Sequence, residues 1–457
     1  MRQAENRLGF SYRSDLFSMK TNGWLRIGLL CLAFIGLNLV WSFPSAAADE
    51  PSGTTQSGPW IDRTSASGMT ILLQKTKSPV VEITLLLKSG SGLDPADKKG
   101  TALIMNNLVY LKLGNVKAKI GDVSVATYPD YSLISFKTSP GDAKKALTEV
   151  KELLSYPLYS YDVITDLKGL YRTDVQGMPV FNRVYYDLTR ELYGSNHPYN
   201  DWIDSDSLAA IEGKDVYRWY RQTYQPGNAI LSISGGVRQS IRDLEKFFAA
   251  MNTEAVDRRL MISPVTLEEN LELSREERNG RVTSVGIGFA APRLTDPEYP
   301  AFRVIAYYLE DYLHYFEELR VKQGLIYAGF VLYDYLDKPK APSLTFLTVT
   351  DPELLPRVEA KTLEVLDRLR TAGMDPDQIQ QVVQAMKRQN EAKRSEGTGI
   401  SVRNALSQYL QNRLVYDENL LPKLEKVQTQ DIMNAATKYL THYVRVAYVP
   451  QEQAANF

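Results

Sequence analysis

The chain has 457 residues, 44% hydrophobic and 23% charged, with 53 Lys and Arg against 54 Asp and Glu, the make-up of two or three ordinary globular domains. That composition excludes a disordered chain, a collagen-like repeat and a polytopic membrane protein. A net charge of −1 offers no electrostatic footprint for nucleic acid.

Residues 27–43 are almost unbroken in their apolar character; Lys20 and Arg26 precede them, and Pro44, Ser45 and Ala46-Ala47-Ala48 follow. This charged, apolar, small-residue order predicts a secretory signal over residues 1–48, cleaved after Ala48, with Met19 a possible start. The alternative is an uncleaved N-terminal anchor, because about 17 apolar residues can just span a bilayer. The only cysteine, Cys31, lies in that segment, so a mature chain has neither a disulfide nor a thiolate metal site. Residues 49–67 read as a linker rich in Ser, Thr, Gly and Pro.

Two similar halves follow. Residues 80–88 alternate like a strand, Asp94-Pro95 marks a turn, and residues 100–113 form a mostly apolar helix. Residues 282–290, Asp296-Pro297 and residues 301–313 repeat that order. The repeat continues with strands at 131–138 and 343–350, each ending before a proline and opening an amphipathic helix, 143–154 and 355–369. The prediction is a duplicated α+β chain: one unit at 68–255, a charged linker at 256–280, and a second unit at 281–457.

The three histidines, His197, His314 and His442, have no metal-ligand spacing among them. Gly90-Ser-Gly92 lacks the Lys and Ser/Thr of a phosphate loop, and neither a Gly-x-Ser-x-Gly elbow nor a cysteine nucleophile is available.

The run Gly100-Thr-Ala-Leu-Ile-Met-Asn-Asn-Leu108, with Gly90-Ser-Gly-Leu-Asp-Pro95 before it, resembles the zinc-binding region of the pitrilysin/insulinase family of metallopeptidases. Glu191 to Tyr199, Asp215 to Tyr224, Gln225 to Gly236, Thr429-Gln-Asp-Ile432 and Ala435 to Tyr439 follow in the family's order, so the resemblance covers about residues 68–450. It implies two homologous α/β-sandwich domains forming a clam-shell cavity.

Active members carry His-x-x-Glu-His on the helix, two zinc ligands and a general base. Leu103, Asn106 and Asn107 stand at those positions here. The third ligand, a Glu, should fall within residues 170–176, which offer Tyr171, Arg172 and Asp174 instead. Without zinc to lower the pKa of a bound water, the chain has no nucleophile of its own. It is expected to bind no metal and to be inactive alone.

Glu318-Leu-Arg-Val-Lys-Gln-Gly-Leu-Ile-Tyr327 resembles the family's C-terminal segment, whose Arg and Tyr reach the substrate peptide. Arg320 should end a helix, Gly324 make the turn and Tyr327 start a strand, which brings guanidinium and phenol to one edge. Some bacterial members of the family work in pairs, one subunit with the zinc motif and one without it but retaining the Arg and Tyr. The resemblance therefore implies a periplasmic or secreted non-catalytic subunit, with zinc in a homologous partner and Arg320 and Tyr327 binding peptide in trans. A scaffold or peptide-binding protein with no proteolytic role is the alternative.

Overall fold

The computed structural model describes residues 60–155, 161–171, 178–200, 202–251, 260, 262–278, 280–312, 318–395, 399–410 and 420–451, all within one compact unit. The signal and most of the first linker lie outside the described residues. Among the described residues no helix is long and apolar enough to cross a membrane.

The fold is α+β, with two sheets. The first contains β1 (Ile61–Thr64), β2 (Thr70–Lys75), β3 (Val81–Leu87), β4 (Asp122–Thr127), β5 (Ser132–Thr138) and β6 (Ala229–Gly235), in the order β1-β2-β6-β3-β5-β4. The second contains β7 (Leu271–Glu277), β8 (Thr283–Ala290), β9 (Ala328–Tyr333), β10 (Ser343–Thr350) and β11 (Val444–Pro450), in the order β7-β11-β8-β10-β9. Apart from β1 the two orders match strand for strand. The single parallel pair falls at the same place in each, β2 with β6 and β7 with β11, and every other pairing is antiparallel. The duplication expected from the sequence is therefore a duplication of topology. Strand β7 lies inside the stretch read as a linker; its residues are mostly exposed, so no apolar pattern marks it.

Both central strands are buried on both faces, because the halves exchange helices. Helix α1 (Thr101–Gly114) and helix α2 (Ala143–Leu153) cover one face of the first sheet, α1 over β4 and α2 over β3 and β5, and Val81, Ile83, Leu85 and Leu87 of β3 point into that core. The other face carries Glu82, Thr84 and Leu86, with a period of two. It is covered by a helix from the second half, designated α7 below (Ile400–Tyr409).

In the second half, Val285, Ile287 and Phe289 of β8 face a core shared with α5 (Tyr299–Tyr307), α6 (Leu355–Thr371) and α8 (Thr429–Tyr439). The opposite face presents Gly286 and Gly288 to α3 (Val180–Tyr193), from the first half. A Cβ on Gly286 would stand 2.9 Å from Val184 and 3.3 Å from Leu188, so these glycines let α3 lie close on the sheet. A third apolar cluster, containing Leu72, Leu86, Tyr131, Ile230, Leu406 and Tyr409, joins the halves where α7 docks.

Candidate functional site

Helix α1 starts where the resemblance places the zinc helix, and Asp94 sets that start. Its Oδ2 accepts from the Gly100 amide at 2.8 Å and its Oδ1 from the Ala102 amide at 2.9 Å, so one carboxylate serves two N–H groups of the first turn. Gly100 has φ +101°, the left-handed region that favours glycine.

The three motif positions do not fit a zinc ion. Leu103 is half-buried and has no lone pair to offer. Asn106, only 1% exposed, uses all of its main bonding capacity internally. Its Nδ2 donates to Thr127 Oγ1 at 2.7 Å and to Ser132 Oγ at 2.9 Å, and its Oδ1 accepts from the Tyr224 hydroxyl at 2.7 Å. Helix α4 (Gly213–Thr223) leads into Tyr224, which stacks on Tyr220. The residue standing in for the general base is thus a structural amide in a closed network.

Asn107 donates from Nδ2 to the Leu103 carbonyl at 2.8 Å and accepts from the Tyr171 hydroxyl at 2.8 Å. Tyr171 lies in the segment expected to supply the third ligand, so a direct hydrogen bond joins two positions that a metal would otherwise bridge. Burial pushes the Tyr171 phenol up, against the pull of Asn107, so it stays neutral and donates. Arg172 and Asp174 lie outside the described residues.

Among the described residues the histidines do not build a replacement site. His197 Nδ1 accepts from the Tyr199 amide at 3.1 Å, Nε2 lies 3.3 Å from the Ser263 carbonyl, and the ring stacks on Tyr193. Burial lowers its pKa. His442 follows α8, and His314 lies outside the described residues. Among the described residues no three His, Cys, Asp or Glu side chains gather as a ligand set.

Gly324 makes the turn expected of it, while Arg320 and Tyr327 lie next to the expected helix end and strand start and not on them. Arg320 lies in a helical turn, Glu318–Lys322, and Gly324 turns the chain with φ +63°. The Leu325 amide then bonds the Leu319 carbonyl at 2.8 Å. Tyr327 immediately precedes β9, its amide donating to the Val349 carbonyl at 2.8 Å. Arg320 is exposed and has no carboxylate within ion-pair distance among the described residues. The Tyr327 ring is 44% exposed. Its hydroxyl donates to Asp351, 2.9 Å from Oδ1 and 3.0 Å from Oδ2. Sequence reasoning missed Asp351, because Asp before Pro352 reads as an ordinary helix cap.

Residues 210–386 match the family model described as Peptidase M16 inactive domain. A zinc protease of Helicobacter pylori, PqqE, is 27% identical over 191 residues, spanning 38% of this chain and 42% of that one; the chain therefore matches less than half the length of this curated relative. The crystal structure of a protease from Helicobacter pylori superposes with a TM-score of 0.76 at 16% identity, over 86% of this chain and all of that one. The periplasmic protease PqqL from Escherichia coli gives 0.68 at 14% identity, over 93% of this chain and 50% of that one.

The chain therefore has the fold of the M16-like peptidases it superposes on, with two halves of matching topology, and its residues 210–386 carry the sequence pattern of the domain described as Peptidase M16 inactive domain.

Proposed function

We propose that the chain is the non-catalytic subunit of an exported, heteromeric zinc metallopeptidase, which binds peptide for a homologous, zinc-bearing partner. The supporting observation is a contrast within one fold. Leu103, Asn106 and Asn107 have replaced ligands and base by hydrogen-bonded or apolar packing, while Arg320 and Tyr327 remain exposed at a structured turn. Zinc in the partner supplies an activated water. This chain supplies Arg320, a permanently charged fork of N–H donors suited to a peptide carbonyl or its oxyanion, and Tyr327, seven residues further along the same turn. Residues 1–48 direct export to the periplasm or beyond, and units 68–255 and 281–457, joined through 256–280, carry the binding edge.

The test is steady-state peptidase activity of the reconstituted pair. Arg320→Ala in this chain should lower kcat/KM by roughly two orders of magnitude, the effect of losing one oxyanion donor, while assembly is retained. Tyr327→Phe should have a smaller effect. If both variants assemble and cleave at the wild-type rate, the in-trans reading fails and the scaffold reading takes its place.

A further inference from the structure

The hydroxyl proton of Tyr327 is already committed. A phenol has one proton to donate, and here it lies on a carboxylate that uses both oxygens to accept it, at 2.9 and 3.0 Å. Asp351 occupies the N-cap position of the turn Pro352–Leu354, yet its side chain makes no capping bond. Its carboxylate has instead turned towards Tyr327, and among the described residues it has no Lys or Arg within ion-pair distance.

The backbone holds both partners in place. Tyr327 pairs with Val349 at the end of β10, Asp351 directly follows that strand, and Thr350 Oγ1 donates to the Leu325 carbonyl. The outward face of the phenol oxygen therefore presents lone pairs, and a hydrogen bond to an anion strengthens them as acceptors. Arg320, seven residues earlier, can only donate.

Building on the peptide-binding reading, we propose that Asp351 is a positioning residue that makes Tyr327 a hydrogen-bond acceptor, so that this edge holds an extended peptide main chain through an N–H at Tyr327 and a C=O at Arg320. An extended backbone alternates these two groups, and an acceptor at Tyr327 with a donor at Arg320 is the complement it requires. Tyr327 is then no second oxyanion donor, and the ligand class is main chain with a free amide hydrogen.

The first measurement is a pH titration of the full chain labelled with 13Cζ-tyrosine, with the Tyr327 signal assigned by its loss in Tyr327→Phe. The carboxylate should hold the Tyr327 midpoint above the ordinary value of 10.0; Asp351→Ala should bring it down towards that value. Asp351→Asn, which can still accept the proton, should retain the acceptor role. The second measurement is fluorescence anisotropy with a fluorescein-labelled unstructured peptide and its backbone N-methylated analogue. Wild type should prefer the unmethylated peptide by about five- to tenfold, the effect of one hydrogen bond, and Asp351→Ala should abolish the preference. Tyr327→Phe should do the same, and the double variant should lose nothing further.

An unchanged Tyr327 midpoint in Asp351→Ala overturns the inference. If the midpoint moves as expected but Arg320→Ala and Tyr327→Phe bind both peptides like wild type, the peptide-binding reading is overturned, and with it the role given to this pair.

Discussion

Asp130 lies where the halves meet, its carboxylate fully buried. Its Oδ2 accepts from the Tyr199 hydroxyl at 2.9 Å and stands 3.6 Å from Lys340 Nζ, while Oδ1 has no partner among the described residues. Burial pushes this carboxyl up to about 6, against the pull of Lys340 and Tyr199. A carboxyl raised on folding contributes stability that is complete below its ordinary value of 3.8 and is lost as pH rises through about 6. At about 1.4 kcal/mol per unit, the loss between pH 4 and 7 is on the order of 3 kcal/mol. Asp130→Asn should remove that slope and be at least as stable as wild type at pH 7, because Lys340 is partly exposed and keeps its bond to the Leu260 carbonyl. Urea unfolding at pH 5 and pH 7.5 checks this; equal slopes for the two proteins would refute it. Asn106 gives the opposite case, a buried polar group with its partners in place. Asn106→Ala should cost about 1–3 kcal/mol by leaving the Tyr224, Thr127 and Ser132 hydroxyls short of a partner, with no effect on metal content.

At the scale of elements, the sequence discloses the Asp94-Pro95 turn before an apolar run, and the structure adds that Asp94 caps α1. Asp94→Ala strands the buried amides of Gly100 and Ala102 and should cost about 1–2 kcal/mol, measured by thermal unfolding. Asp94→Asn, which can still accept through one oxygen, should recover part of that loss. Strands β3, β5, β8 and β10 and helices α1 and α6 were legible because their apolar runs or periods are strong and occur twice. Strand β7 was not, because Leu271-Glu-Leu-Ser-Arg-Glu-Glu277 is mostly exposed at a sheet edge and buries no pattern. The losses at Leu103, Asn106 and Asn107 were legible because ligand chemistry is a matter of residue type. Their replacements were not: the partners of Asn106 come from β4, β5 and the end of α4, and that of Asn107 from Tyr171, contacts between 21 and 118 positions apart. Asp351 was hidden for a related reason, since local sequence assigns it to its own helix and only the pairing of β9 with β10 carries it to Tyr327.

For the whole molecule, the decisive feature is the exchange of α3 and α7 between the halves. Each sheet is covered on one face by a helix from its own half and on the other by a helix from the opposite half, so neither half buries its central strand alone. Polar bonds reinforce the exchange at both ends. Glu82 of β3 accepts from the amides of Gly399 and Ile400 at 2.8 and 2.9 Å, placing a carboxylate at the positive end of α7. Tyr448 of β11 donates to Asp187 of α3 at 2.9 Å. Damage to one sheet should therefore propagate to the other half, and Gly286 offers a way to inflict it. A valine there meets Val184, Leu188 and Leu347 at once, which forces α3 off β8 and should cost about 1–3 kcal/mol as overpacking. The readout sits in the other half. Trp219 is buried in the first core against Tyr224, and with Trp60 and Trp202 replaced by Phe it is the tryptophan that reports there among the described residues. Because the halves share their exchanged helices, Gly286→Val should lower the denaturant midpoint of Trp219 fluorescence by the same amount as that of far-ultraviolet circular dichroism, in a single transition. A Trp219 midpoint that stays at the wild-type value while circular dichroism splits into two steps would show that each half folds alone.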